Sequence, residues 1–91
     1  MINIKIKTTE EFEKEFKKLT KKNKALAEQI AKAIMKLKDN PKAGKPLSYN
    51  LKGYRSLRIG KWRIIYDIDE DKKQIILRSI GHRGKIYTDF S

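Results

Sequence analysis

The chain has 91 residues, 38% hydrophobic and 37% charged, which is enough for one small core and suits a single domain over residues 1–91. It has no cysteine and one histidine, His82, which excludes disulfides, thiol catalysis and Cys-based or multi-His metal sites; no metal and no cofactor are expected. No apolar run reaches the roughly 18 residues of a membrane span, and the N-terminus is unlike a signal peptide, so a cytoplasmic protein without a membrane partner is expected.

In chain order, Ile2, Ile4 and Ile6 alternate with Asn3, Lys5 and Lys7, the period of a half-buried strand. Thr8 to Glu11 has the spacing of a capping box and opens a helix. Phe12, Phe16 and Leu19 then fall on one face of it. Lys21-Lys22-Asn23-Lys24 turns the chain. Leu26, Ile30, Ala33, Ile34 and Leu37 form a second apolar stripe, which Asp39-Asn40-Pro41 ends. These two helices make a helical hairpin. Residues 41–50 read as a loop.

Beyond it the period changes to two. Tyr54–Ile59, Trp62–Ile68 and Gln74–Ile80 are strand-like runs rich in Ile, Tyr and Trp. Gly60-Lys61 joins the first two as a two-residue hairpin with glycine first, the pattern of a type II′ turn. Asp69-Glu70-Asp71-Lys72 separates the second pair. The expected fold class is α+β: an N-terminal strand, an α-helical hairpin, then a three-stranded antiparallel meander, one sheet with helices on one face.

The net charge is +12, with 23 Lys and Arg against 11 Asp and Glu, which points to a polyanion or an acidic protein as partner. Residues 1–47 hold 13 lysines and no arginine, whereas all five arginines lie between Arg55 and Arg83. Arginine's planar fork suits phosphate. The short hairpin sets Ile59 opposite Trp62, Arg58 opposite Arg63 and Leu57 opposite Ile64. A four-residue acidic loop would then set Tyr66 opposite Ile75, Ile64 opposite Leu77 and Arg63 opposite Arg78. One face, Leu57, Ile59, Trp62, Ile64, Tyr66, Ile75 and Leu77, is the expected core. The other would carry Arg58, Arg63 and Arg78 in a row. Like charges set opposite each other destabilise a sheet, so the row reads as a phosphate-binding surface, unless Asp67, Asp89 or a glutamate neutralises it. The Arg58–Arg63 pair is the firmer part, since a bulge would displace Arg78.

Three stretches together carry a resemblance. They are Leu51-Lys52-Gly53-Tyr54-Arg55, then Leu57-Arg58-Ile59-Gly60-Lys61-Trp62-Arg63-Ile64-Ile65-Tyr66, then Ile80-Gly81-His82-Arg83 with Ile86-Tyr87. At this spacing the chain resembles the RelE/ParE superfamily of toxin–antitoxin toxins over nearly its whole length. The RelE-like branch implies a metal-independent endoribonuclease that cuts messenger RNA in the ribosomal A site by attack of a 2′-hydroxyl on its own 3′-phosphate. The partners so implied are the ribosome, mRNA and a RelB-like antitoxin, in a toxin–antitoxin hetero-oligomer.

By that resemblance Arg63 and Arg83 would stabilise the transition state, and Tyr87 would orient or stack on a base. The chain departs from the family's bacterial members where they carry a lysine base on the first hairpin strand. Lys52 and His82 both stay open as proton-transfer groups, because arginine remains protonated. Arg55, Arg58, Lys61, Arg78 and Lys85 complete the expected RNA-binding set. The same fold also serves ParE-like proteins that poison DNA gyrase without catalysis, and an inactive basic RNA-binding domain is a third reading.

Overall fold

The structure is a computed structural model, and it describes residues 4–82, 84 and 86. Strand β1 (Lys5–Thr8) leads into helices α1 (Glu10–Thr20) and α2 (Lys24–Asp39). A 3₁₀ turn at Pro41–Ala43, the two-residue strand β2 (Lys45–Pro46) and a second 3₁₀ turn at Tyr49–Leu51 follow. Strands β3 (Arg55–Ile59), β4 (Trp62–Asp69) and β5 (Gln74–His82) form the meander. The sheet has five strands in the order β1-β5-β4-β3-β2, with β1 parallel to β5 and every other pair antiparallel.

The α+β class and the helical hairpin are as expected. The N-terminal strand is seen at Lys5–Thr8, since residues 1–3 lie outside the described residues. The helix cap differs by one position. Thr9, in extended backbone, accepts from the Phe12 amide at 3.1 Å and is the N-cap, while the Thr8 hydroxyl donates to Glu13. Thr9 wins because its hydroxyl also donates to the Arg78 carbonyl at 2.9 Å, where the pairing of β1 with β5 ends. Past Leu77 the helix takes over the strand's role. Glu15 Oε1 accepts from the Ser79 hydroxyl at 2.8 Å and from the Ile80 amide at 3.4 Å, groups that would otherwise be left unpaired.

Asn23 caps α2 by accepting from the Leu26 amide at 3.0 Å. Phe12, Leu26, Ile30 and Leu37 from the helices meet Ile59, Ile64, Tyr66, Ile75, Leu77 and Ile80 from the sheet in one buried core, with Leu57 and Trp62 packed at its edge. Each such side chain contributes about 1.5–3 kcal/mol on burial. The 41–50 segment is more ordered than its composition suggests. Lys45 pairs with Ser56 and Pro46 with Arg55, and Tyr66 Oη ties the segment down by donating to the Pro41 carbonyl and accepting from the Gly44 amide, at 2.7 and 2.8 Å.

The β3–β4 register is as the short turn dictates: Ile59–Trp62, Arg58–Arg63 and Leu57–Ile64. Gly60 has φ 59°, as a type II′ turn requires at its first central position. The β4–β5 register is a correction. Tyr66 faces Leu77 and Ile68 faces Ile75, two positions from the expected pairing, because the strands extend to Asp69 and Gln74 around a loop of residues 70–73. The even offset leaves Ile75 and Leu77 on the core face. A β-bulge then leaves Arg78 as the extra residue between the Tyr66–Leu77 and Ile65–Ser79 pairs, so Arg63 faces Gly81 and not Arg78.

Candidate nucleic-acid interface

Lys45 on β2, Ser56 and Arg58 on β3 and Arg63 on β4 line one groove of the sheet, with Ala43, Leu47 and Leu57 at its rim. Its position follows from register. Leu57 and Ile64 turn toward the helices, so by strand alternation their neighbours Ser56, Arg58 and Arg63 turn the other way, and Lys45 arrives beside them through its pairing with Ser56. Arg58 is exposed and Arg63 half-buried. Arg63 Nη1 is shielded from solvent and has no hydrogen-bond partner among the described residues. A buried donor on a cation is costly unless an acceptor arrives, and a phosphate oxygen meets that need.

From Asn40 to Tyr66 the chain carries Lys42, Lys45, Lys52, Arg55, Arg58, Lys61 and Arg63 and no carboxylate. The groove therefore sits in a stretch of uniformly positive sequence. Sequence reasoning missed Lys45, which lay in what looked like a loop. Its signal was the Lys-Pro dipeptide, extended backbone before proline that can pair at a sheet edge.

The remaining expected site residues divide. Arg78 leaves the row: its Nε–H donates to Asp67 Oδ1 at 2.6 Å and its Nη2–H to Oδ2 at 3.2 Å. That bidentate bond holds its pKa above the ordinary arginine value. Neutralisation by Asp67, the alternative to phosphate binding, is what the structure has at this position. Arg55 donates from Nη1 to the Gly44 carbonyl at 2.7 Å and the Lys42 carbonyl at 3.3 Å, and so braces the segment that presents Lys45. Lys61 lies 5.5 Å from the centroid of the Trp62 ring, a cation–π contact at the hairpin tip.

Lys52 is exposed just after the second 3₁₀ turn and is not among the groove-lining residues. His82 pairs with Trp62, on the helix side, and its ring meets that indole edge-on at 5.8 Å. Its Nδ1 accepts from the Gly84 amide at 3.1 Å. Register thus puts the groove arginines and His82 on opposite faces. Arg83, Lys85 and Tyr87 lie outside the described residues. Between them Ile86 is buried, and a Cβ on Gly81 would lie 3.1 Å from Ile86 Cδ1. Ile86 thus lies against the residue opposite Arg63.

Comparison with known proteins agrees with this architecture. The model of a family described as the ParE toxin of the parDE type II toxin–antitoxin system matches residues 6–87. An uncharacterized protein of Methanosarcina mazei is 30% identical over 90% of this chain and 96% of its own length. The structure of the RelBE2 toxin–antitoxin complex from Mycobacterium tuberculosis holds a chain that superposes with a TM-score of 0.77 at 28% identity, over 90% of this chain and all of that one. A YoeB/ParE toxin from Agrobacterium tumefaciens shares the fold, with a TM-score of 0.79 at 21% identity over 88% of this chain and 99% of its own.

Proposed function

The chain belongs to the ParE toxin family of type II toxin–antitoxin systems, and from that premise we propose that it is an endoribonuclease that cuts messenger RNA on the ribosome and is neutralised by a partner antitoxin. The observation that carries this reading is Arg63 Nη1, shielded and without a hydrogen-bond partner among the described residues, in a groove that Lys45 and Arg58 also line.

In the proposed reaction a ribose 2′-oxygen attacks the adjacent phosphorus and the P–O5′ bond breaks. The products are a 2′,3′-cyclic phosphate and a free 5′-hydroxyl; the 2′-hydroxyl loses a proton and O5′ gains one. Negative charge builds on the equatorial oxygens of the phosphorane, and fixed cations stabilise it more than they stabilise the ground state. Arg63 would bind those oxygens and Arg58 would supply a second charge. Lys45 would hold the flanking phosphate. Arg83 and Tyr87 keep the tail roles that the family resemblance gives them. Neither Lys52 nor His82 lies within the groove, so the toxin would act chiefly through charge and positioning, with the ribosome fixing the substrate.

Cleavage of a reporter mRNA in a purified translation system tests the reading. Arg63→Ala should stay folded by circular dichroism and lose about 10²-fold or more in rate. An uncut reporter with wild-type protein would overturn it. The ParE designation of the matching family favours one other reading, a gyrase poison without catalysis, and inhibition of gyrase supercoiling with intact mRNA would establish that instead.

A further inference from the structure

Tyr49 is 93% exposed, and its backbone is left-handed with φ 58°. A bulky side chain gains nothing from that exposure, and glycine or asparagine would adopt that backbone at lower cost. Folding therefore does not account for a tyrosine here. The backbone that carries the ring is nevertheless fixed by hydrogen bonds. The Leu51 amide donates to the Ser48 carbonyl, Lys52 to Tyr49 and Tyr54 to Leu51, at 3.0–3.1 Å, and Leu47 N–H to Tyr54 O at 3.0 Å closes the turn at its base. Tyr49 stands in the connection between β2, which supplies Lys45, and β3, which supplies Arg58, two residues from Leu47 on the groove rim.

The chemistry around it selects the ligand. The connection itself has no carboxylate, so its own charge is positive and suits an anionic chain on the side away from the pocket that its Gly53 shares with Asp67, Asp69, Glu70 and Asp71. Among the described residues the other exposed large hydrophobic side chain is Met35, on α2. A protein hot spot gathers several apolar anchors, whereas a lone rigid ring among cations is how unpaired bases are held.

Resting on the nuclease reading above, we propose that Tyr49 is a stacking platform for an unpaired base of the RNA whose phosphate lies at Arg63. Exposed Lys52, in the same turn, meets the backbone of that nucleotide.

The test is the affinity of the full-length toxin for a single-stranded RNA carrying a 2′-deoxy residue at the scissile position, measured at fixed salt. Tyr49→Ala should weaken binding about five- to a hundred-fold, while Tyr49→Phe and Tyr49→Trp should bind like wild type. Tyr49→Asn suits the left-handed backbone, so it should fold at least as stably as wild type and still bind like the alanine variant. Scanning an abasic site along the RNA should find one position that weakens wild type but not Tyr49→Ala. The salt dependence of Tyr49→Ala should match wild type, because no phosphate contact is lost. Unchanged affinity in Tyr49→Ala and Tyr49→Asn would overturn the proposal. So would the lack of any coupled abasic position, no measurable wild-type binding, or loss of antitoxin binding with RNA binding intact. The two readings fail separately: if wild type leaves reporter mRNA uncut, the nuclease reading fails, and if Tyr49→Ala cuts it at the wild-type rate, only the platform fails.

Discussion

Arg58 and Arg63 stand directly opposite each other across β3 and β4. Like charges in that position cost a sheet about 0.2–1 kcal/mol, and threonine is a better strand residue. Arg58→Thr is therefore expected to raise the free energy of unfolding by a few tenths of a kcal/mol, within that range, while slowing mRNA cleavage. Urea titration and a cleavage time course on the same preparation check both halves. A variant that is less stable yet fully active would show that the pair serves the fold.

Arg78 is expected to behave in the opposite way. Its ion pair with Asp67 is partly exposed, with side chains 34% and 23% accessible, so screening limits its worth to about 0.5–1 kcal/mol. Arg78→Ala should lower stability by that amount and leave cleavage within a few-fold of wild type. In a double-mutant cycle, Asp67→Ala should add almost nothing to it. A large loss of cleavage with unchanged stability would return Arg78 to the RNA-binding set.

Tyr66 is fully buried, and its hydroxyl joins the Pro41 carbonyl to the Gly44 amide. Tyr66→Phe leaves both groups without this partner, at about 1–3 kcal/mol, and should speed hydrogen exchange at the Gly44 amide. Gly44→Ala should be at least as harmful, because its Cβ would lie 2.6 Å from that hydroxyl oxygen. Burial raises the Tyr66 pKa, against the lowering effects of the Gly44 hydrogen bond and the Arg55 charge. The native state thus holds the proton more tightly than the unfolded chain. The stability this gives is complete below the ordinary tyrosine value of about 10 and is lost as pH rises through the higher folded value. Urea titrations across that alkaline range should show a steeper fall for wild type than for Tyr66→Phe. Parallel curves would mean the phenol ionises freely.

Much of this architecture was legible because local rules and tertiary packing agree. The apolar stripes of α1 and α2, the asparagine and proline that end α2, and the glycine of the β3–β4 turn each dictate one answer. Arg58 opposite Arg63 follows from that turn alone. Three features depend on contacts distant in sequence. The bulge at Arg78 arises where β1 gives way to α1, and no local signal in β5 marks it. Strand β2 exists because Ser56 and Arg55 offer it an edge. The cap falls at Thr9 because β5 presents a carbonyl to that hydroxyl. The groove was half legible for the same reason: its arginines follow from register, but Lys45 comes from a strand that forms only in the fold.

His82 gives the sharpest remaining test of mechanism. An amide N–H can only donate, so the bond from Gly84 requires His82 Nδ1 to accept, and the neutral ring must carry its proton on Nε2. We therefore expect His82 to act as a turn anchor, a part that asparagine can play, since its side-chain oxygen can accept from the amide two residues on. His82→Asn should cut mRNA within a few-fold of wild type, and its pH–rate profile should keep the wild-type shape. His82→Ala, which cannot accept that bond, should lose more. If His82 were instead the general base or acid, both variants would fall by about 10²–10⁴-fold and lose an inflection between about pH 5 and 8. Lys45→Ala and Lys52→Ala complete the comparison under the same conditions. A groove that works through its cations should suffer far more from the change at Lys45, whereas a larger loss at Lys52 accompanied by a lost inflection in the pH–rate profile would make that lysine the proton acceptor.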